Sequence, residues 1–458
     1  MPTHHHDQCQ PRRLRAERHG NDRRCADPRR DRRRQFLKAV LGALAAPWLV
    51  RSTALGQAGS PPPSERITMG FIGLGGQGSG HLGGGAWTYL PGGYLARAEV
   101  QVLAVCDVWR DRREGARNRV NQYYESKFGA AGYRACEAYV DFRDLIARAD
   151  IDAVLIATPI HLHAIMTVLA AKAGKDVYCE KPTALTVRES RAMVEAVQRY
   201  GRVFQAGTQQ RSEYGGKFRR AVELVRAGRI GELKAAYAYR PGGAFHDDGG
   251  LGGNPQPVPD GLDWDLFLGP APQRPFCGRV DSHMFGDGGI NWGQHHYDIA
   301  QWGLGTDDTG PIEIGWEDGK LAYRYASGVV LYGCPYPNEP VGDTGGVCFV
   351  GTQGRIAVDR EDLVADPPGI LDAPLAEHES RVYHSDSHSG NFLECIRSRK
   401  RTICDVETAH RAVSVLLLGG LAQQLRRPLR WDPVKEEFAG DEEANRLLAY
   451  APREPWRF

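Results

Sequence analysis

None of the ten cysteines in this 458-residue chain stands in a Cys-x-x-Cys pair, which removes a zinc ribbon and a dithiol redox motif from consideration. The thiols are scattered, and most are expected to be buried and free. Long apolar runs are equally scarce. The one candidate, inside "RRRQFLKAVLGALAAPWLV", extends for about a dozen residues, too few to span a bilayer comfortably. No strong net charge is present either: the total is +2, so the composition does not signal a nucleic-acid binder. What is present is length and glycine. A chain of 458 residues exceeds one compact core and predicts two domains plus extensions. Its 41% hydrophobic and 25% charged residues are those of a soluble globular protein, and its 55 glycines cluster.

The near-neutral total hides an asymmetry. Residues 1–38 hold eleven Arg and one Lys against five acidic residues, a charge of +7 that leaves −5 on the other 420. Arg33-Arg34-Gln35-Phe36-Leu37-Lys38 followed by the short apolar run has the form of a twin-arginine export signal, and "TALGQAGSPPPSE" supplies small residues for cleavage. Residues 1–58 are therefore read as a basic leader and signal and 59–65 as a Pro/Ser linker. Export through the twin-arginine translocation machinery and a periplasmic or extracytoplasmic site follow as expectations. For residues 1–30 a disordered leader or an over-extended start fits as well. His4, His5 and His6 read as solvated tail, not as a metal site.

From Arg66 the pattern becomes alternating short strands and helices. "ITMGFI" is a buried strand running into Gly73-Leu74-Gly75-Gly76-Gln77-Gly78. In such a loop the first glycine makes a tight turn, the second admits a pyrophosphate, and the third packs helix on strand. The signal is weak alone. "VQVLAVCDVW" strengthens it, ending a strand at Asp107, whose carboxylate can accept from ribose hydroxyls. The spacing of 34 residues from Gly73 is long, because "HLGGGAWTYLPGGYLARAE" lengthens the crossover into a loop expected near the cofactor mouth. Asp107 favours NAD over NADP, although Arg110, Arg112 or Arg113 could take a 2′-phosphate. "IDAVLIATP" is a strand ending at Thr158-Pro159, Ala164 to Ala173 is a helix, and "DVYCEKP" ends in Glu180-Lys181-Pro182. Charged residues at the carboxyl end of a buried parallel strand point into the ligand crevice, so Glu180 and Lys181 join the cofactor set with Thr158, Pro159 and His163.

These stretches, with "GTQQRS", "GRIGELK", "LDWDLFLGP" and "GGINWGQHHYDIAQW", together resemble the Gfo/Idh/MocA family of nicotinamide-dependent sugar oxidoreductases, in its exported branch, over roughly residues 66–458. The resemblance implies an α/β protein: an N-terminal Rossmann dinucleotide-binding domain, placed here at 66–185, and a C-terminal α/β domain at 186–458 with a large, mostly antiparallel open sheet. That sheet would also make a homo-oligomer interface. The family's "EKP" lysine, which contacts the reacting hydroxyl, maps onto Lys181. The histidine of its Asp-x-Gly-x-His-x-x-Asp pattern, the proton acceptor, maps onto His295. The first aspartate of that pattern is Asn291 here.

Helical periodicity from about residue 290 puts Asn291, His295, Asp298 and Trp302 on one face, so Asn291, His295 and Asp298 are expected to converge. His296 lies about 100° away and reads as a packing histidine, or at most a substrate contact. Adjacent helical histidines do not chelate one metal, and none is expected. A neutral histidine suits proton abstraction from a hydroxyl. Asn291 supplies no charge to raise its basicity, so Lys181 or Asp298 is expected to share the proton work. "GGAFHDDGGLGGNPQPVPDGLDWDLFLGPAP" reads as a wall of the substrate cleft anchored by Trp264. Arg211, Tyr237, Tyr239, Arg240 and His246 are candidates to bond or stack on a sugar, with plain strand and loop surface as an equal alternative. Glu394 and Asp405 read as structural.

The function expected is hydride transfer between NAD(P), tightly retained if loaded before export, and a sugar, polyol or glycoside hydroxyl. A glycosidase that works by transient oxidation and elimination is the alternative, and a non-catalytic sugar-binding protein the third reading.

Overall fold

The computed structural model describes residues 62–85, 89–129, 135–239, 254–278, 280, 290–337, 344–372, 374–375, 379 and 382–457. The leader and signal, the first three residues of the linker, His246 and Arg240 lie outside the described residues. Residues 56–458 form one compact unit, built on two sheets.

The first sheet has six parallel strands: β1 (Ile67–Ile72), β2 (Val100–Cys106), β3 (Glu137–Tyr139), β4 (Ala153–Ile156), β5 (Asp176–Cys179) and β6 (Phe204–Ala206). Their order is 3-2-1-4-5-6, the doubly wound arrangement whose strand order reverses beside β1. β4 and β5 are buried at every residue, as expected of strands covered on both faces. β6 pairs in parallel with β5 through Val177–Phe204 to Cys179–Ala206. The Rossmann sheet therefore runs past the boundary expected at residue 185. The three-residue strand "FQA" is too short to show a pattern, and pairing with β5 is what makes it a strand.

The second sheet has nine strands: β7 (Leu233–Tyr239), β8 (Glu313–Glu317), β9 (Lys320–Arg324), β10 (Val330–Tyr332), β11 (Gly346–Gly351), β12 (Arg355–Asp359), β13 (Leu363–Asp366), β14 (Leu429–Asp432) and β15 (Glu437–Phe438). Their order is 13-12-11-7-10-9-8-14-15, antiparallel throughout except for β7 beside β10. β7 shows the period-2 division of faces: Ala236 and Ala238 are buried, while Tyr237 and Tyr239 are half-buried on the other face. The alanines let a helix approach closely. That helix, Gly293–Leu304, is buried from Gly293 to Gly303 and packs on β7 and β11 and against helices Lys217–Arg226 and Val406–Leu425. Asp405 caps the last of these by accepting from Thr408 N at 3.0 Å, a structural role as read from sequence.

Eight cysteines fall among the described residues; all are free, and six of them are buried. Among the described residues no helix is long and apolar enough to cross a membrane, and no group of three His, Cys, Asp or Glu side chains is placed to hold a metal ion.

Candidate active site

A cavity of about 380 Å³ opens at the carboxyl ends of β1, β2, β4 and β5. Its floor is the glycine loop. Gly73 turns at φ +85°, and a Cβ there would lie 2.6 Å from the Ala157 carbonyl oxygen. A Cβ on Gly78 would lie 1.8 Å from the Gly73 oxygen, so neither position admits a side chain. The helix Gly76–Gly83 starts from Gly75 without a side-chain cap. Gly73, Gly75, Gly76 and Gln77 line the cavity there, while Gly78 serves the packing beneath. This is a cradle a Cβ would fill, with helix-start amides available to an anionic ligand, and it fits a dinucleotide pyrophosphate.

Asp107 and Arg112 line the same cavity. The Asp107 carboxylate accepts from Leu74 N at 2.7 Å and Trp109 N at 2.8 Å, so it fastens the glycine loop to the end of β2. Burial pushes its pKa up against those bonds. Arg112 lies over the Trp109 ring at 5.5 Å; of the three arginines considered from sequence, it alone lines the cavity. The segment holding Trp264 is the opposite wall. It bonds Val108 through Asp263 N at 3.0 Å, and its Leu266 and Phe267 face the cavity. Trp264 itself is buried, donates to Arg274 O at 2.8 Å and stacks on Phe267. The described part of the segment thus faces the glycine-loop side of the crevice with Trp264 as its core residue, and residues 242–253 of the expected substrate wall lie outside the described residues. The alternation of apolar and acidic residues in "LDWDLFLG" did not show which side it would face.

At the far end, Thr158, Pro159, His163, Glu180 and Lys181 line the cavity. The His163 ring nitrogens lie 2.7 Å from Pro182 O and 2.8 Å from Thr158 O, tying two strand ends together. Glu180 is buried and accepts from His81 at 2.7 Å, Gln209 at 3.0 Å and Lys181 N at 3.1 Å. Burial pushes its carboxyl up, and the His81 bond together with nearby positive charge more than offsets this, so the pKa is lowered. Glu180 is therefore an anchor for the loop below the site. Its partner His81 carried no motif in the sequence.

The Lys181 ammonium donates to Asn291 Oδ1 and sits 5.9 Å from the centre of the Trp292 ring. Gln294 fixes this meeting: its Oε1 accepts from Thr183 N at 2.8 Å, holding the Glu-Lys-Pro-Thr turn to the start of the Gly293–Leu304 helix. His295 follows on that helix, buried, its ring 6.0 Å from Trp292 and its Nδ1 without a hydrogen-bond partner among the described residues. Burial drives its pKa well below the usual histidine range, and the positive charges of Lys181 and Arg360 push the same way. His295 is thus a neutral base at physiological pH.

The readings of Asp298, Arg211 and Tyr239 change, while His296 packs as read. Asp298 does not converge with Asn291 and His295: both its oxygens accept from Arg211 at 2.8 Å, and Arg211 also holds Asp307 at 2.8 Å. Those carboxylates keep Arg211 protonated, with its pKa above the ordinary guanidinium range. Both residues are committed to a buried ion pair. A single turn of helix separates Asp298 from His295, yet its side chain turns toward the residues that follow β6. His296 donates from Nε2 to Thr344 O at 2.7 Å and is a packing residue away from the cavity. Since a carbonyl only accepts, Nε2 carries the proton. Tyr239 lies on the outer face of the nine-stranded sheet with Tyr237, opposite the His295 helix.

Residues 67–208 match the Gfo/Idh/MocA oxidoreductase family's NAD-binding Rossmann fold, and 243–331 with 348–458 match its C-terminal alpha/beta domain. The chain carries both domains of the Gfo/Idh/MocA oxidoreductase family. It is 30% identical over 226 residues to a glycosyl hydrolase family 109 protein of Shewanella baltica, covering 45% of this chain and 46% of that one. It is 35% identical over 107 residues to a 2,7-anhydro-N-acetylneuraminate hydratase of Mediterraneibacter gnavus, covering 23% and 28%. The chain spans about half the length, or less, of the curated relatives it matches. An aldose-aldose oxidoreductase from Caulobacter crescentus has the same fold, with a TM-score of 0.53 at 18% identity over 80% of this chain and 99% of that one.

Within this family frame Asn291 stands where the pattern has aspartate. Asn291→Asp would set a carboxylate against Lys181 and reduce the positive field at His295, raising the histidine pKa. With neutral His295 as the base, the acid limb of kcat/KM would move to higher pH, by on the order of one unit. A pH–rate profile of the two proteins checks this; an unmoved limb means His295 does not set it.

Proposed function

We propose that the protein is an NAD-dependent oxidoreductase acting on a hydroxyl of a sugar, polyol or glycoside. The observation that carries this is the meeting of Lys181 and Asn291 at the end of a cavity whose other end is the glycine loop, with His295 buried on the helix that follows and within the field of the Lys181 charge. Bound nicotinamide would exchange hydride with a substrate carbon, once for net redox or out and back for cleavage without net redox. The chain's own residues do the rest. Lys181 donates to the substrate hydroxyl oxygen, holding it and favouring loss of its proton. Asn291 fixes the ammonium. His295, desolvated and neutral, takes the proton. NAD is favoured over NADP because Asp107 would repel a 2′-phosphate.

A second reading, the NAD-retaining glycosidase, is favoured by the similarity to a glycosyl hydrolase family 109 protein. In it a carbonyl formed beside the ring carbon acidifies a neighbouring C–H and lets the glycosidic bond break. Export by the twin-arginine machinery and self-association through the outer sheet face, where Tyr237 stacks on Tyr332 at 4.8 Å, belong to the same proposal.

The test is a panel. Purified protein is denatured to release any retained nicotinamide, then assayed with sugars plus NAD, with NADP, and with aryl glycosides and no added cofactor. NADH formation with free sugars is the expected result. Phenol release without net NADH selects the second reading, and neither signal over a broad panel sinks both.

A further inference from the structure

Between β7 and the His295 helix the chain leaves the nine-stranded sheet and crosses to the Rossmann half, where residues 259–268 dock as a strap on the residues that follow β2. Arg110 N donates to Gly261 O at 2.8 Å and Asp263 N to Val108 O at 3.0 Å, with Trp109 and Leu262 paired antiparallel between them. Only glycine fits at this meeting. Gly261 holds φ +85°, and a Cβ there would lie 3.0 Å from the Arg110 Cβ. Asp263 then caps the short helix Trp264–Leu268 by accepting from Leu266 N at 2.9 Å.

The strap has an apolar core of its own. Leu262, Trp264, Phe267, Leu268 and Phe276 cluster against Val108 and Trp109, apart from the three larger cores. Its far end is held differently. The Arg453 guanidinium donates to Asp265 Oδ1 at 2.6 Å, to Asp265 O at 3.0 Å and to Gly269 O at 2.9 Å. His161, in the turn after β4, donates from Nε2 to Phe267 O at 2.8 Å. Charge-assisted bonds thus fix one end, whereas two backbone bonds and a small apolar cluster hold the other. The Gly261–Asp263 bridge is the weaker attachment.

That bridge is tied to the cavity. Trp109, Leu266 and Phe267 line it together with the glycine loop. Trp109 N also donates to Asp107 Oδ1 at 2.8 Å, and Asp107 Oδ2 accepts from Leu74 N at 2.7 Å. Glycine loop, Asp107, Trp109 and strap are therefore joined in series. In a doubly wound fold the acidic residue at the end of the second strand marks the adenosine half of a dinucleotide, so the strap lies at that half. A ligand there gains Leu266 and Phe267 as neighbours only while the bridge is closed.

We propose that residues 261–268 are a clasp on the dinucleotide: cofactor enters and leaves when the Gly261–Asp263 bridge opens, and the closed bridge retains it. The inference rests on the reading of the cavity as a dinucleotide site.

The full chain loaded with NADH is mixed with excess NAD in a stopped-flow instrument, and loss of bound-NADH fluorescence gives the dissociation rate. Gly261→Ala, which forces the strap away from Arg110, should speed dissociation about tenfold to a hundredfold, the effect of losing one or two backbone bonds with their packing. Arg453→Gln acts from the far end and should speed it by less, which keeps the test decisive if Gly261→Ala does not fold. Backbone amide exchange is followed in parallel over residues 106–113 and 259–269. NAD and ADP-ribose should each slow it about tenfold or more in both stretches, and nicotinamide mononucleotide should not. Dissociation unchanged in Arg453→Gln and in any folded Gly261→Ala overturns the clasp. So does equal protection by nicotinamide mononucleotide, or a wild-type chain that loses bound nicotinamide on gel filtration. If neither NADH nor ADP-ribose binds, the dinucleotide reading itself falls; NADH binding that leaves exchange in the strap unchanged sinks the clasp alone.

Discussion

Lys181→Met is expected to lower turnover by about 10²- to 10⁴-fold while leaving NAD affinity within a few fold, and His295→Ala to do the same. In the proposed mechanism the two act on one hydroxyl: the ammonium on its oxygen, the imidazole on its proton. Removing either leaves hydride departure opposed by a proton with nowhere to go. Methionine preserves the length of the lysine stem, so the variant tests charge rather than packing. Stopped-flow measurement of the first turnover separates the chemical step from product release. The double variant should be barely worse than the worse single one, since groups that work as a unit are not additive. First-turnover rates near wild type in either single variant would remove that residue from the mechanism.

The Rossmann half was largely legible because its signals are local. A glycine loop after an apolar strand, Asp107 at the next strand end and Lys181 at a later one are each read within ten residues, and doubly wound topology brings strand ends together without further information. The boundary at 185 failed for the opposite reason: β6 exists only through its pairing with β5. In the second domain the helix carrying His295 was readable from its periodicity, although it begins at Gly293 rather than near 290. Which neighbours its faces meet was not. Asp298 and His295 occupy one side of a helix, and periodicity cannot say that Arg211 approaches the first while Lys181 approaches the second. Gln294, lying between them in sequence and off that face, binds the Lys181 turn.

Arg360, Trp292, Tyr89 and Tyr214 show what sequence reading misses most completely. Their positions span about 270 residues, they share no motif, and only the juxtaposition of an insert, a short turn, a helix start and a strand end assembles them. The long spacing between Gly73 and Asp107 was the one visible sign. It registered as a departure from the glycine-loop pattern, and in the fold the insert brings Tyr89 against Tyr214.

Arg211→Met is expected to destabilise the protein by about 3–5 kcal/mol, because it strands the buried Asp298 carboxylate without its two donors. Chemical denaturation with an unchanged m-value is the measurement. Arg211→Met combined with Asp298→Leu should recover much of the loss, since removing both charges also removes the desolvation that the pair offsets. That pattern separates a structural pair from a catalytic one: a carboxylate sharing the proton work of His295 would cost activity in the double variant whatever the stability. Arg211 ends the turn that follows β6, and Asp298 and Asp307 lie on and just beyond the His295 helix. The ion pair therefore fastens the helix that carries the base to the sheet that carries Lys181, and its loss should loosen the Lys181–Asn291 contact as well. A destabilisation below about 1 kcal/mol would mean the pair is solvated and the helix is held by packing alone.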